Sequence, residues 1–470
     1  MKITLIQPYF PTHIAAPPLG LGYLAGYLRS YGHKVELFDC AAKEITTEKL
    51  VEALKKGKPN LIGITVFTMF YPEARETIRE VKKITSVPVV IGGPHVSALP
   101  RFSLEDTEAD FAVVGEGEKT LLELVTMIEK EKREFTAVKG LVFKTKTGKI
   151  IENKRRPLIK NLDSLPLPAW DLIEPQKYPP APHGAFYKRF PIAPIITTRG
   201  CPYNCSFCAS KITWEQKLRF RSPQAVVDEI ELLVKKFGVK EFHFEDDNFT
   251  ASREHAMAVC QEIIKRNLDI VWACPNGVRI DRLDEELLKT MKKSGCYLLA
   301  FGIESSSQEI LDRANKDLDL KLTPKVLKMV KKVGIQTWGF FIIGLPGETR
   351  KTIQETISFA KKLPLDRAQF CKFTPLPGTI IFEEWREGRD LRDLPWEKIN
   401  FFGDCVYSTE ELTSKELTGF QKKAFRAFYF RPQIFLKTLM CMKFRQFKWL
   451  LRRLRDYFYF YLFDRTGGNE

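Results

Sequence analysis

Runs of β-branched and aromatic residues alternate with helical patterns along two long stretches of this sequence. In the first stretch the strand-like runs are Ile3–Gln7, Lys34–Asp39, Leu61–Phe67, Val87–Gly92 and Phe111–Gly115. In the second stretch they are Ile195–Arg199, Glu241–Glu245, Ile270–Ala273, Tyr297–Ile303, Thr337–Ile343 and Ala368–Phe373. Strand–helix alternation builds parallel sheets that are covered by helices. We therefore predict an α/β protein whose first part is a doubly wound parallel sheet.

A proline-rich segment separates the two stretches, with nine prolines between Arg155 and Pro194. Such a segment wraps around its neighbours rather than forming regular elements. We predict a first domain over residues 1–135, a proline-rich linker over 136–192, a second domain over 193–405 and a helical tail over 406–470. No apolar run reaches about 18 residues and the chain begins as a strand, so we expect a cytoplasmic protein without a membrane-spanning helix.

The second stretch opens with three cysteines at the spacing C-x3-C-x2-C, namely Cys201, Cys205 and Cys208. One loop thus offers three thiolates, one fewer than the four that usually hold a [4Fe–4S] cluster, so one iron would remain open to a small molecule. A zinc site would need a fourth Cys or His nearby, and none follows within thirty residues. Ten cysteines in 470 residues do not indicate a disulfide scaffold. Buried structural cysteines remain the alternative.

With the aromatic Phe207 directly before the third cysteine, this loop resembles that of the radical S-adenosylmethionine (SAM) superfamily. The resemblance implies that the open iron binds the amino and carboxylate groups of SAM. It also implies that one electron from the cluster cleaves SAM to a 5′-deoxyadenosyl radical, which abstracts hydrogen from an unactivated carbon. The second domain is then expected to be a partial (β/α)6 barrel, with its site at the carboxyl ends of the strands.

Polar and glycine-rich runs follow several of the predicted barrel strands, and they are similar to the SAM-contacting segments of this superfamily. The resemblance assigns the SAM ammonium group to the first run, the ribose to the second and the adenine to the third. These residues are Glu245, Asp246 and Asp247; Glu304 and Ser305; and Ile343, Gly344 and Gly347, together with Phe207. For the acidic run, a helix N-cap with first-turn acids is the structural alternative. The run Thr374–Thr379 is typical of the cobalamin-associated branch.

Glycine clusters end the strands of the first domain, where a doubly wound sheet binds ligands. The domain resembles the cobalamin-binding domain of cobalamin-dependent radical SAM enzymes in three segments. The residues expected to contact cobalamin are Pro18, Leu19 and Gly20; Gly92, Gly93 and His95; and Gly115, Glu116 and Gly117. The D-x-H-x-x-G motif of cobalamin mutases is absent. His95 is a candidate for corrin contact, with a structural hydrogen-bonding role as its alternative, and the glycines could instead only turn the chain.

The net charge of +16 is concentrated near the end of the chain, since eleven Lys or Arg and no Asp or Glu lie between Lys422 and Arg455. We predict a basic amphipathic helix that contacts a membrane surface. Docking on the barrel and contact with nucleic acid are the alternatives, and nucleic acid is not the expected partner. The apolar face comprises Met440, Phe444, Phe447, Leu451, Leu454 and Phe458, and the basic stripe comprises Arg445, Lys448, Arg452 and Arg455.

The two resemblances together imply a cobalamin-dependent radical SAM enzyme that functionalises an unactivated carbon by C-methylation. The predicted membrane-surface helix indicates a hydrophobic substrate such as a lipid, isoprenoid or tetrapyrrole. The expected cofactors are a [4Fe–4S] cluster, SAM and cobalamin, and the expected electron donor is a flavodoxin or ferredoxin. The alternative is an oxidoreductase or cyclase without methyl transfer, with or without cobalamin. A radical SAM tRNA methylthiotransferase would need three cysteines in the first domain, which has only Cys40. An iron or redox sensor would not need the SAM-contacting runs.

Overall fold

The computed structural model describes residues 1–10, 15–132, 134–180, 187–401 and 406–441. Its first sheet has seven strands in the order β2-β1-β3-β4-β5-β6-β7. They are β1 (Lys2–Gln7), β2 (Lys34–Asp39), β3 (Leu61–Thr65), β4 (Val89–Gly92), β5 (Phe111–Val113), β6 (Leu141–Lys144) and β7 (Ile150–Glu152). The five strands expected from the sequence are present and parallel. The antiparallel hairpin β6–β7, which the sequence analysis missed, extends the sheet beyond residue 135.

Helices cover both faces of this sheet, as expected for a doubly wound fold. They are α1 (Leu19–Ser30), α2 (Cys40–Lys43), α3 (Thr47–Gly57), α4 (Tyr71–Ile84), α5 (Pro94–Ala98), α6 (Pro100–Glu105) and α7 (Gly117–Glu129). On one face Leu28 of α1 and Leu124 of α7 share a core with Leu5 of β1. On the other face Leu54 and Ile78 pack with Ile62 of β3. Successive side chains along a strand therefore pack alternately into the two cores, one on each face of the sheet.

The second sheet has six parallel strands in the order β8-β11-β12-β13-β14-β15, confirming the predicted open parallel barrel. They are β8 (Ile192–Ile195), β11 (Glu241–Phe244), β12 (Val271–Val278), β13 (Cys296–Glu304), β14 (Gln336–Ile343) and β15 (Arg367–Lys372). The prediction of the first strand over Ile195–Arg199 was wrong. That strand ends at Ile195, and the chain then turns into a short ribbon in which β9 (Thr198–Arg199) pairs with β10 (Arg219–Phe220).

The helices of this part lie between its strands in the chain, except α15, which follows the last strand. They are α8 (Ser210–Trp214), α9 (Pro223–Phe237), α10 (Arg253–Lys265), α11 (Glu285–Lys293), α12 (Gln308–Arg313), α13 (Leu322–Lys332), α14 (Arg350–Lys362) and α15 (Ile380–Arg386). Side-chain caps fix several starts, among them Ser222 on α9 and Thr349 on α14. Residues 155–180 contain neither α-helix nor β-strand, as their prolines predict.

Two further helices, α16 (Ser414–Tyr429) and α17 (Pro432–Cys441), follow the sheet. Helix α16 packs on β15, where Gln421 donates to the carbonyl of Phe370 at 2.7 Å. The structure describes residues 406–441 of the predicted tail. Of the residues named for the two faces of the amphipathic helix it describes Met440, and those from Phe444 to Phe458 lie outside the described residues. In the part of the chain that the structure describes, no helix is both long and apolar enough to cross a membrane.

Candidate active site

The three-cysteine loop is closed at its base by the β9–β10 ribbon, in which Arg199 lies opposite Arg219. Gly200 follows directly, with a φ of +96°, which glycine adopts far more readily than other residues. A Cβ on Gly200 would lie 2.3 Å from the carbonyl oxygen of Lys217, so the loop closes only around a glycine here. The conformation of the loop therefore depends on both the ribbon and Gly200.

The thiols of Cys201, Cys205 and Cys208 are free and half-buried. Burial raises the pKa of each thiol, that of Cys208 to about 11, and the nearby Lys316 ammonium opposes this shift in the pKa of Cys201 and Cys205. No group of three His, Cys, Asp or Glu in the described ranges could hold a single metal ion. In a [4Fe–4S] cluster each thiolate binds a different iron, so the ligands need not converge on one ion. Three thiols on one loop therefore fit such a cluster with one iron left open.

The acidic run after β11 reaches this loop. Asp246 is fully buried and accepts from the Thr197 N–H at 3.0 Å, from the Thr198 N–H and from the Thr198 hydroxyl at 2.6 Å. Burial raises the pKa of Asp246 to about 6, against these hydrogen bonds. The charge of the neighbouring Asp247, whose side chain is exposed, raises the pKa of the Cys201 and Cys208 thiols. Asp246 thus ties the end of β11 to the start of the cysteine loop.

Glu245, the remaining acid of that run, accepts from the Asn276 amide at 2.9 Å. Asn276 lies in β12, the neighbouring strand. The carboxyl ends of β11 and β12 are therefore joined by a polar contact on the side of the sheet where the sequence places SAM.

Glu304 ends β13 with a φ of +62°, a conformation that is strained for a residue other than glycine. The pairing of β13 with β14 also shifts register between Gly302 and Glu304. The Glu304 carboxylate accepts from Lys316 Nζ at 2.7 Å, and both side chains are nearly excluded from solvent. Burial lowers the pKa of Lys316, but the charges of Glu304 and Cys205 outweigh it and raise that pKa.

Lys316 also lies 5.8 Å from the ring centre of Phe207, so it joins Glu304, Phe207 and the cysteine loop. The sequence analysis missed this residue. It carries no motif of its own, and only the fold brings it from the region after α12 to the cluster loop. Arg279 is a second missed cation, since its guanidinium lies 3.8 Å from the ring centre of Tyr203 in the same loop.

The predicted adenine-contacting residues surround a buried carboxylate, Glu348. It accepts from the Gly344 N–H at 2.7 Å and the Leu345 N–H at 3.1 Å, and from the Ser305 hydroxyl at 3.2 Å. Burial raises the pKa of Glu348 to about 7. Ile343 is buried, and Gly344 and Gly347 have φ values of +92° and +84°. Glu348 therefore fixes the loop after β14 against the end of β13.

A cleft of about 350 Å³ lies at the carboxyl edge of the first sheet, within the size range of small-molecule sites. It is lined by six of the residues that the sequence assigns to cobalamin, which are Gly20, Gly92, Gly93, Gly115, Glu116 and Gly117. A Cβ on Gly20 would meet no atom within 4 Å, so the cleft reaches the backbone there. Pro18 is the N-cap of α1 and Leu19 is its first residue, so both support Gly20 from outside the lining.

His95 is not part of this lining. It is fully buried, stacks on Tyr71 with ring centres 4.2 Å apart and lies edge-on to Trp396. Its Nδ1 lies 3.2 Å from the Thr68 hydroxyl, and burial lowers its pKa to about 3. In this arrangement His95 has the surroundings of a neutral core histidine.

The opposite wall of the cleft comes from the elements on either side of the cysteine loop and includes Arg199 of β9 and Thr213 and Trp214 of α8. Arg199 donates to Glu116 and to Glu118, each at 2.7 Å, and its centre lies 5.4 Å from the Trp214 ring. Burial opposes the charge on Arg199, but Glu118 and Glu116 outweigh it and hold the pKa of Arg199 above its usual value. The sequence analysis missed these wall residues, because the loop was examined only for its cysteines.

Two family models match the chain. A model of the radical SAM superfamily matches residues 195–360, and a model of the B12 binding domain matches residues 14–125. The chain is 36% identical over 449 residues to an uncharacterized methyltransferase of Pyrococcus horikoshii, covering 93% of this chain and 95% of that protein. It is 32% identical to the anaerobic magnesium-protoporphyrin IX monomethyl ester cyclase of Rubrivivax gelatinosus, covering 85% of this chain and 72% of that protein.

Among solved structures, the radical SAM methyltransferase TsrM of Kitasatospora setae, with cobalamin and a [4Fe–4S] cluster bound, has the same fold. The TM-score is 0.68 at 23% identity, covering 83% of this chain and 75% of that chain. The B12 binding domain and the radical SAM domain thus follow each other here in the order that the sequence predicted. The chain belongs to the family of cobalamin-dependent radical SAM enzymes, whose cofactors are a [4Fe–4S] cluster, SAM and cobalamin.

Proposed function

We propose that this enzyme transfers a methyl group to an unactivated carbon of a hydrophobic substrate. The observation that carries the proposal is the shared wall between the two cofactor regions. Arg199, Thr213 and Trp214 belong to the segment that bears the three cysteines, and they line the cleft at the edge of the B12 binding domain. When bound, the cluster with SAM supplies one-electron chemistry at carbon and cobalamin supplies a methyl group. A common wall supports a reaction that uses both.

The proposed assignments follow the sequence. Cys201, Cys205 and Cys208 hold the cluster, and Glu304 with Lys316 binds the ribose of SAM. Glu245 and Asp247 bind its polar end, while the predicted SAM contact of Asp246 is replaced by its hydrogen bonds to Thr197 and Thr198. The six lining residues of the cleft that the resemblance assigns to cobalamin contact this cofactor. The cobalamin part corresponds to residues 1–135 together with the β6–β7 hairpin, and the catalytic part to residues 193–405.

A hydrophobic substrate is supported by the side chains on the inner face of the second sheet. Val271, Ala273, Tyr297 and Leu298 form an apolar cluster separate from the main core, and Trp338 packs against it. Phe340 lies edge-on to Trp338 with ring centres 5.1 Å apart. The four cluster residues are buried, but Trp338 and Phe340 are only half-buried. Aromatic side chains of this kind suit a flat or apolar molecule. One relative is named for its action on a magnesium porphyrin ester, a tetrapyrrole, which supports this substrate class.

That relative also favours a second candidate, ring formation or oxidation without methyl transfer, because it is named a cyclase. The two candidates differ in the fate of the SAM methyl group. We therefore propose to incubate the reconstituted enzyme with SAM labelled in its methyl carbon, a reduced flavodoxin or ferredoxin, and separate lipid and tetrapyrrole fractions. Label in an extractable product supports methylation. A changed substrate without label supports the second candidate, and Cys201→Ala should give no product in either case.

We also propose that the C-terminal region contacts an anionic membrane surface. Phe430, Phe435, Leu436 and Met440 are between 50% and 77% exposed on and beside α17. Lys422, Lys423 and Arg426 of α16 line a surface groove close by in the chain. Exposed aromatic and apolar side chains next to basic ones suit the interface of an anionic bilayer.

The wild-type enzyme should float with phosphatidylglycerol vesicles at low salt and less well with phosphatidylcholine vesicles. Replacing both Phe435 and Met440 with Asp should reduce this flotation. Tyr31→Asp is the matched control, because Tyr31 is 58% exposed in the first domain, away from the tail. Absence of flotation at low salt would contradict the membrane proposal and leave the proposed chemistry untouched.

A further inference from the structure

The ribbon that closes the cysteine loop places two like charges opposite each other. Arg199 and Arg219 are directly paired across β9 and β10. Like charges in opposite positions of an antiparallel pair destabilise it. Only 6% of the Arg199 side chain and 10% of the Arg219 side chain are exposed. A buried charge without a counter-charge is very costly, so this ribbon requires carboxylates to form.

The carboxylates come from the other domain. Glu116 accepts from Arg199 at 2.7 Å and from Arg219 at 2.9 Å, and Glu118 accepts from Arg199 at 2.7 Å. The four side chains form a neutral, buried network with two cations and two anions. Glu118 lies in the first turn of α7 and Glu116 is its N-cap, so the network joins the edge of the B12 binding domain to the base of the cysteine loop.

Both ends of this network line the cleft. Glu116 and Glu118 lie on its B12 side, and Arg199 lies on the side of the cysteine loop. Trp214 lies over both guanidinium groups, 5.4 Å from the centre of Arg199 and 5.7 Å from that of Arg219. A ligand that fills the cleft touches both walls and therefore favours the closed ribbon. The closed ribbon in turn holds the loop that presents the thiols.

We propose that the Glu116–Glu118–Arg199–Arg219 network couples the two cofactor sites, so that bound cobalamin and an assembled cluster each stabilise the other. This inference rests on the proposed function, because coupling requires that the cluster and cobalamin bind to the same chain. Linkage requires the coupling to be reciprocal, since a cluster that tightens cobalamin binding is itself retained better with cobalamin present. Arg219, which does not line the cleft, is then a positioning residue, because it acts through the ribbon.

The test compares the Kd of hydroxocobalamin for cluster-loaded and cluster-free enzyme, measured anaerobically by absorbance. In the wild type the cluster should tighten binding at least about fivefold, the lower end of typical coupling. Glu118→Gln should bring this ratio close to one, and the ratio separates the coupling from any direct effect of this cleft-lining residue, since a direct effect changes both Kd values alike. Asp366→Asn is the control, because it weakens an ion pair with Lys331 in the barrel and should keep the wild-type ratio.

A wild-type ratio of one, or a wild-type ratio retained by Glu118→Gln, would overturn the coupling. If circular dichroism shows that Glu118→Gln is unfolded, Arg219→Lys decides by the same ratio, since lysine keeps the charge but lacks the planar fork. If the wild-type enzyme binds no cobalamin in either state, the proposed function fails and not the coupling alone.

Discussion

Glu304 combines three features that rarely occur together in a structural residue. Its backbone is in the left-handed region, it ends a strand where the register shifts, and its carboxylate is held by a buried lysine. Strain of this kind persists where the surroundings force it, often at a binding site. At the scale of the residue, we therefore expect Glu304 to act in SAM binding and not only in folding.

Glu304→Gln should weaken SAM binding about tenfold, the cost of one charge-assisted hydrogen bond. Equilibrium dialysis of SAM against cluster-loaded enzyme measures this directly. Glu309→Gln is the matched control, because Glu309 is exposed and pairs with Arg313 on the surface of α12. We expect less than about a twofold change for the control. An unchanged Kd in Glu304→Gln would remove Glu304 from the SAM site.

Glu348 gives a prediction on pH. Burial raises its pKa from 4.5 to about 7, so the folded chain binds this proton more tightly than the unfolded chain. The stability that protonated Glu348 contributes is thus complete below pH 4.5 and is lost as the pH rises towards 7. The amide side chain introduced by Glu348→Gln stays neutral at every pH. The Tm of the variant minus that of the wild type should therefore increase from pH 5 to pH 8, by an amount that corresponds to about 3 kcal/mol in the free energy of unfolding. Parallel Tm profiles would contradict the assignment.

At the scale of the element, the β9–β10 ribbon and Gly200 determine the shape of the cysteine loop. Gly200→Ala should displace the loop, because the new Cβ would collide with the Lys217 carbonyl. Iron analysis after anaerobic reconstitution should then fall from about four irons per chain to below about one. Gly238→Ala is the control, since Gly238 also has a positive φ but no atom within 4 Å of its Cβ position. About four irons per chain in Gly200→Ala would contradict this prediction, because the loop would then bind the cluster in another conformation.

The start of α1 tests the cleft. Gly20→Phe should fill the cleft from its open side and weaken hydroxocobalamin binding by about tenfold or more, while bound iron stays unchanged. The Kd is measured by absorbance with the cluster in place. Gly419→Phe is the control, because Gly419 likewise has open space at its Cβ position but lies on α16. Equal affinity in Gly20→Phe and Gly419→Phe would place cobalamin elsewhere.

Strand periodicity explains why most elements were predictable. The alternation of polar and apolar residues in Lys34–Asp39 and the apolar run within Gln336–Ile343 are long enough to identify strands directly. The β6–β7 hairpin was missed because its runs are only four and three residues long and lie beside the proline-rich segment. The turn at Gly148 between two apolar runs was the available signal. The end of β8 was misplaced because the ribbon continues the same extended pattern.

Motifs in the sequence identify candidate site residues at the cysteines and at the glycine-rich strand ends, and their roles stay predictions. Lys316, Arg219 and Glu118 could not be identified in this way. Each acts only through a partner far away in sequence, and a lone charged residue in a chain has no local signature. His95 shows the reverse, since a glycine-rich motif predicts a ligand contact, while the fold surrounds this side chain with Tyr71 and Trp396.

At the scale of the whole molecule, the two sheets are not independent units. Phe382, Leu394, Trp396 and Ile399, which follow the second sheet, are buried in the same core as Ile62 and Ile78 of the first domain. Ala169, Trp170 and Ile173 of the proline-rich segment join the other core, between α1 and the catalytic part. The segments that precede and follow the barrel in the chain therefore both pack against the cobalamin-binding part. This packing keeps the cleft and the cysteine loop in contact.

The central claim is that one chain holds a cluster and cobalamin at adjoining sites. The most direct test is to reconstitute the enzyme anaerobically with iron, sulfide and hydroxocobalamin, remove unbound material, and measure iron and cobalt in the same sample. The account predicts about four irons and about one cobalt per chain. Four irons without cobalt would contradict the two-cofactor site, and a chain without iron would contradict the whole account.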